Sequence, residues 1–294
     1  MSYRIIFTLF IIIALIGISC EDRTINPFEE ENGVYSIYSA MSVNESTNYV
    51  RVRKLDTPLL ADSSIGVDAV VTFTDLSTGQ QTELRDTVVN FSGNYTQNFI
   101  VDEELVLDNQ YEINVEGLDG RSSRSIATTP LETELFFTPT VDTIFCETRL
   151  KFIFNNVRKP EFVDMEIGVE YKGKIHWAIM EIVGKLEHAE GSNEMFVFMS
   201  PRNLLVEVFT PPLPDNPFFD FYRLMPTVRC HELDSNTFRI RYRHFGPEWG
   251  TVRPWFNSSG PLDIEAGDIE RGIGFFGAYN SGEISFDIGF EQDN

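Results

Sequence analysis

The sequence predicts an all-β protein, and three observations predict it. Phe (25) and Tyr (10) are abundant in a chain of 294 residues, and both are favoured in strands. No long stretch repeats its apolar residues at helical spacing. Short runs alternating apolar and polar residues recur instead, with Gly, Pro, Asn and Asp between them. A hydrophobic fraction of 42% supplies enough apolar material for two ordinary cores.

The first unit reads as residues 34–131. Val34–Ala40 and Tyr49–Arg53 are short period-two runs, and Val67–Thr74 is rich in β-branched residues. Asp75-Leu76-Ser77-Thr78-Gly79 then turns the chain into Gln80–Leu84, with Gly79 where positive φ is needed. Tyr111–Val115 alternates cleanly, Asp119-Gly120 is a turn dipeptide, and Arg121–Thr128 returns before Thr129-Pro130 closes the unit. About seven strands in roughly a hundred residues predict an immunoglobulin-like β-sandwich.

The second unit, residues 132–294, reads as a larger antiparallel β-sandwich or open barrel. Its strands are expected at Leu150–Phe154, Met165–Tyr171, Met195–Met199, Leu204–Phe209, Phe238–His244 and Ile284–Phe290. Ile175–Ile182 fits a strand or a short helix. The run Thr210–Pro217 cannot continue a ladder, because its prolines lack the N–H donor. Gly272, Gly274 and Gly277 around Phe275-Phe276 predict a strand whose backbone is closely approached, at a bend or bulge.

Ahead of both units, Ile5–Ile18 is apolar apart from Thr8 and Gly17, too short for the roughly 20 residues of a spanning helix. Arg4 precedes it and Gly17-Ile18-Ser19 follows with small residues, so residues 1–19 read as a signal peptide. Cys20 comes next, and the segment resembles a lipobox, at which the cysteine is acylated and becomes the new terminus. Gly17 departs from the usual Leu or Val three residues before the cysteine, and an ordinary signal peptide is the competing reading. Diacylglycerol plus a further acyl chain such as palmitate gives stable anchoring where one chain would not. Residues 20–33 are polar and acidic, the composition of a tether.

A formal net charge of −22 excludes a nucleic-acid role, since phosphate contacts need clustered cations. It also argues against lying on an anionic lipid surface by charge attraction. Once Cys20 is lipidated, Cys146 and Cys230 remain as a pair in an exported chain. Both lie in strand-like runs, so a disulfide and two buried free thiols are both open readings. His176, His188, His231 and His244 have no metal-ligand spacing, and no Gly-x-Ser-x-Gly elbow is present. The chain therefore reads as a non-enzyme with neither metal nor cofactor.

Two features are candidate contact surfaces for a ligand or partner. Alternation in Phe238–His244 puts Arg239, Arg241 and Arg243 on one strand face. That stripe is either a solvated face paired with carboxylates or an anion contact. Phe218, Phe219, Phe221 and Tyr222, then Phe245, Trp249, Trp255 and Phe256, place aromatics on turn-rich segments, where they either bind or plug one end of a sandwich.

The lipobox and acidic leash precede Val67–Asp75, Tyr111–Val115, Ala127–Pro130 and the Gly272–Tyr279 segment. Together these resemble the Bacteroidota outer-membrane lipoproteins catalogued as domain of unknown function 4249. The resemblance covers most of the mature chain and carries over no site residue. It implies a lipid-anchored outer-membrane protein, on the cell surface or facing inward, acting as a non-catalytic accessory of a TonB-dependent receptor. The alternative is a structural or adhesive envelope lipoprotein.

Overall fold

The computed structural model describes residues 34–55, 66–91, 94–138, 144–180, 187–209, 228–235, 237–249 and 269–289. The leader, Cys20, the tether, the 210–217 proline run, Phe218–Tyr222, Trp255 and Phe256 lie outside them. In the first part of the chain the strands are β1 (Tyr35–Ser42), β2 (Asn48–Lys54), β3 (Ala69–Asp75), β4 (Gln80–Glu83), β5 (Arg85–Phe91), β6 (Asn94–Val101), β7 (Gln110–Gly117) and β8 (Ser122–Thr128). The rest are β9 (Leu135–Thr138), β10 (Leu150–Phe154), β11 (Phe162–Tyr171), β12 (Lys174–Met180), β13 (Glu187–His188), β14 (Met195–Met199), β15 (Thr237–Phe245) and β16 (Gly272–Asp287). Among the described residues one α-helix, α1 (Pro201–Phe209), stands between them. The protein is all-β, with antiparallel sheets stacked as sandwiches.

Turn chemistry sets the local pairings. Between β3 and β4, Gly79 adopts φ +73°, and the Asp75 carboxylate accepts bonds from the Ser77 N–H (2.8 Å) and hydroxyl (2.7 Å). The Asn109 amide donates a further bond at 3.0 Å. These donors, Asn109 foremost, hold the Asp75 carboxyl well below the usual carboxylate range. The Asp119-Gly120 turn joins β7 to β8 in the same way, with Gly120 at φ +78°.

The strands form one eight-stranded sheet, in the order β12-β11-β15-β16-β1-β2-β6-β5, and two four-stranded sheets. The smaller sheets run β4-β3-β7-β8 and β13-β14-β10-β9. The first core joins Ile37, Val50 and Phe99 of the long sheet to Phe73, Tyr111 and Ile113 of β3 and β7. The second joins Met165, Ile167, Phe238 and Ile240 of the long sheet to Phe152, Phe154 and Val197 of β10 and β14. Phe276 and Ala278 belong to the first core and Phe286 to the second, all at even spacing on β16. Side chains two apart on a strand share a face, so both small sheets cover the same side of the long one. Each fully buried Phe or Ile contributes about 2–3 kcal/mol of hydrophobic stabilisation.

The long sheet therefore passes across residue 131. Its β1 and β16 pair in parallel, Tyr35 with Gly272 through Ser42 with Tyr279. Gly274 makes this approach feasible: its φ is +128°, and a side chain there would collide with the Ile37 carbonyl.

Several expectations need correction. Leu204–Phe209 is part of α1 rather than a strand. The Ser200 hydroxyl accepts from the Asn203 N–H at 3.3 Å, and the Asn203 side chain accepts from the Ser200 N–H at 3.1 Å. With Pro201 at the first helical position, this reciprocal cap starts a helix whose Leu204 and Leu205 are buried. Of the run Ile175–Ile182, the described residues 175–180 belong to strand β12 (Lys174–Met180), and residues 181 and 182 lie outside the described residues. The strand expected around Gly272–Gly277 and the one expected from Ile284 are a single strand, β16, which runs from Gly272 to Asp287. Strands β5, β6 and β9 had no expectation attached: polar residues on both faces dilute the alternation of β5 and β6, and β9 has only four residues, three of them apolar in a row, too few to show a period.

Candidate functional site

The face of the long sheet opposite the two small sheets carries the arginine stripe. In β15, Phe238, Ile240 and Tyr242 are buried inward, while Arg239, Arg241 and Arg243 point outward. Register then selects their neighbours. Arg243 stands opposite Asp164 and Ser281, and Arg241 opposite Glu166 and Glu283. Arg243 holds Asp164 with two bonds of 3.0 and 2.8 Å, and Glu166 lies 3.6 Å away. Arg241 Nε donates to Glu283 at 2.8 Å. Arg239 faces Gly168 and Ser285, and it has no ion pair among the described residues.

Trp177 of β12 explains the posture of Arg241. Its ring lies across Gly168, where a Cβ would come within 2.8 Å of it. The Arg241 guanidinium sits 3.8 Å from the ring centroid, a cation–π contact. Burial raises the Asp164 carboxyl above its ordinary value, and the Arg243 bonds offset this only in part. Arg243 in turn is held more firmly protonated by its bonds to Asp164.

Beside the stripe the face dips into a groove of about 390 Å³, lined by Asp164, Glu166, Arg241, Arg243, Tyr279 and Glu283. Its floor is Gly282, where a Cβ would lie 2.7 Å from a ring carbon of Tyr242. The ring of Tyr242 thus fills the position that a side chain would need.

Trp249 is not a free contact residue. It is 8% exposed and caps a third, small apolar cluster on the outer face with Phe162 and Phe245. Its ring centroid lies 4.4 Å from those of Phe245 and Phe275, and its indole N–H donates to the Ala278 carbonyl at 3.1 Å. The turn after β15 folds the indole back over the sheet, and the missing side chain at Gly277 makes room for it.

Cys146 and Cys230 form a disulfide, with Cα atoms 6.2 Å apart. Neither is in a strand. Cys146 sits in a turn before β10, and Cys230 opens a short 3-10 turn, Cys230–Glu232. The bridge therefore joins two loops over the second core.

A buried polar network had no counterpart in the sequence reading. Fully buried His244 contacts Glu161 through Nε2 at 3.2 Å and the Thr133 hydroxyl through Nδ1. Glu161 also accepts from the Arg158 N–H at 2.7 Å and side chain at 3.0 Å, and Arg158 reaches Asp108 at 2.9 Å. The order hydroxyl, imidazole, carboxylate is that of hydrolytic triads. Here Thr133 and Glu161 are each 3% exposed and His244 0%, so no substrate reaches the hydroxyl. Burial pushes the Glu161 carboxyl up, but the His244 and Arg158 bonds outweigh it and hold the group below its ordinary value. Among the described residues no group of three or more His, Cys, Asp or Glu side chains is placed to hold a metal ion.

No family model matches the chain, and no curated protein does. One solved structure similar to it comes from work on host-cell-surface retention of a 1.5-MDa bacterial ice-binding adhesin. It aligns over 87% of this chain and 64% of that one, at 10% identity and a TM-score of 0.19. The chain thus spans less than two thirds of that structure. A superposition this poor bears on neither fold nor role.

Proposed function

We propose that this chain is an outer-membrane lipoprotein, anchored by lipid on Cys20, whose folded body is a non-catalytic accessory of a TonB-dependent uptake receptor. The observation that carries the reading is the position of Cys20, at the end of an apolar run of signal-peptide length and before an acidic tether. The resemblance to outer-membrane lipoproteins supplies the receptor. The sealed His244 network supports a non-catalytic body, because this triad-like arrangement among the described residues is buried away from substrate.

The anchor is tested by palmitate labelling and fractionation of wild type and Cys20→Ala. Wild type takes up label and stays with membranes, while the variant loses the label. A labelled Cys20→Ala protein overturns the anchor. The partner is tested by affinity purification from native membranes, which should recover a β-barrel receptor; repeated recovery of the lipoprotein alone refutes the accessory role. A deletion that alters attachment and leaves nutrient uptake intact would move the protein to a structural or adhesive role.

A further inference from the structure

The geometry points to the outer-face groove over Gly282 as a binding site for a neutral carbohydrate. This stands apart from the anchor and the receptor, because it concerns only what the folded body holds. The volume of about 390 Å³ falls within the roughly 300–1,000 Å³ of small-ligand pockets.

Charge separates the ligand classes first. The lining brings three carboxylates, Asp164, Glu166 and Glu283, against two guanidiniums, Arg241 and Arg243, leaving one net negative charge. An anion would meet more repulsion than attraction there. The anion contact that the arginine stripe suggests is thereby disfavoured, since register supplies its counter-charges from the neighbouring strands.

Hydrogen-bond capacity narrows the choice further. Arg241 uses Nε on Glu283, so among the described residues its two terminal amino groups remain available as donors. Glu166 stands 3.6 Å from Arg243, and the second oxygen of Glu283 can still accept. Donors thus lie along the middle of the groove with acceptors on both flanks. A phosphate or carboxylate only accepts and an ammonium only donates, whereas a hydroxyl does both. A ring bearing several hydroxyls matches every position.

Pre-organisation and aromatic surface point the same way. The two arginines are fixed before any ligand arrives, Arg243 by its paired bonds to Asp164 and Arg241 by the face of Trp177. Tyr279, packed against Phe245 with ring centroids 5.9 Å apart, brings an aromatic ring to the lining of the groove. Sugar rings carry C–H faces that pack on such surfaces.

The test uses the full-length protein in a non-glycosidic detergent, on an array holding neutral, sialylated and sulfated oligosaccharides. Neutral oligosaccharides should bind, with the best of them then titrated by calorimetry. Arg241→Ala and Glu283→Gln should each weaken binding at least tenfold. Tyr279→Phe, which removes one hydroxyl and keeps the packing, should weaken it severalfold. Arg85→Gln, at an exposed ion pair with Asp102 outside the groove, should change nothing. Unfolding midpoints of all four variants show whether a loss of binding is a loss of fold, and Tyr279→Phe decides if the charged variants are unstable. Binding confined to acidic glycans, no binding of any neutral glycan, or equal binding by folded variants would overturn the site.

Discussion

Glu161 lies between Arg158 and His244, and its removal strands the polar groups of both. Glu161→Ala should cost about 3–4 kcal/mol, the scale for breaking a buried pair on one side, as read by urea unfolding. Its pH dependence has a definite sign. A carboxyl held below its ordinary value of 4.5 contributes stability that is complete above that value and lost as pH falls through the lowered one. The stability gap between wild type and Glu161→Gln should thus be widest near neutrality and narrow as pH falls below the ordinary carboxyl value. At this scale the sequence showed which way the β15 side chains point, because alternation needs no knowledge of neighbours. It could not show that His244 meets Glu161, or that Arg243 meets Asp164, since each pair joins separate strands or loops by register alone. For Trp249 the turn-rich setting left binding and plugging one end of a sandwich both open, and only the fold shows the sheet face it covers.

Strands bounded by strong turn signals were legible, and those without were not. The β3–β4 and β7–β8 hairpins follow from Asp75–Gly79 and Asp119-Gly120, whose conformations are local. The helix α1 was misread because the apolar run Leu204–Phe209 suits either structure. Ser200, Pro201 and Asn203 carry the deciding helix-start signal just upstream. Pairing of β1 with β16 depends on Gly274. Gly274→Val combines a positive φ with a collision against Ile37, and should cost about 3 kcal/mol or prevent folding. Gly79→Ala carries the strained φ with open space around it, so its cost should be smaller, about 1 kcal/mol. Comparing both by thermal and urea unfolding separates clash from backbone strain.

The molecule as a whole consists of two cores under one sheet. The cores divide close to residue 131, except that Ile269, Phe276 and Ala278 from the end of the chain join the first. Residues 34–131 produced alone would lack β16 and expose the β1 edge, and are expected to aggregate or stay unfolded by circular dichroism. The disulfide adds a second long-range tie, closing a loop with a sequence separation of 84. Its reduction should lower stability by about 4.5 kcal/mol on the chain-entropy account, measured as the shift in urea midpoint with reductant.

Composition and alternation were enough to determine the all-β class, the inward and outward faces of most strands and several turns, because each depends on residues near in the chain. The joining of the first strand to the last, the partners of the arginines, the burial of Trp249 and the groove over Gly282 were decided by tertiary structure alone. Each arises where strands far apart in sequence are set side by side, and a single sequence carries no local record of which register brings them together.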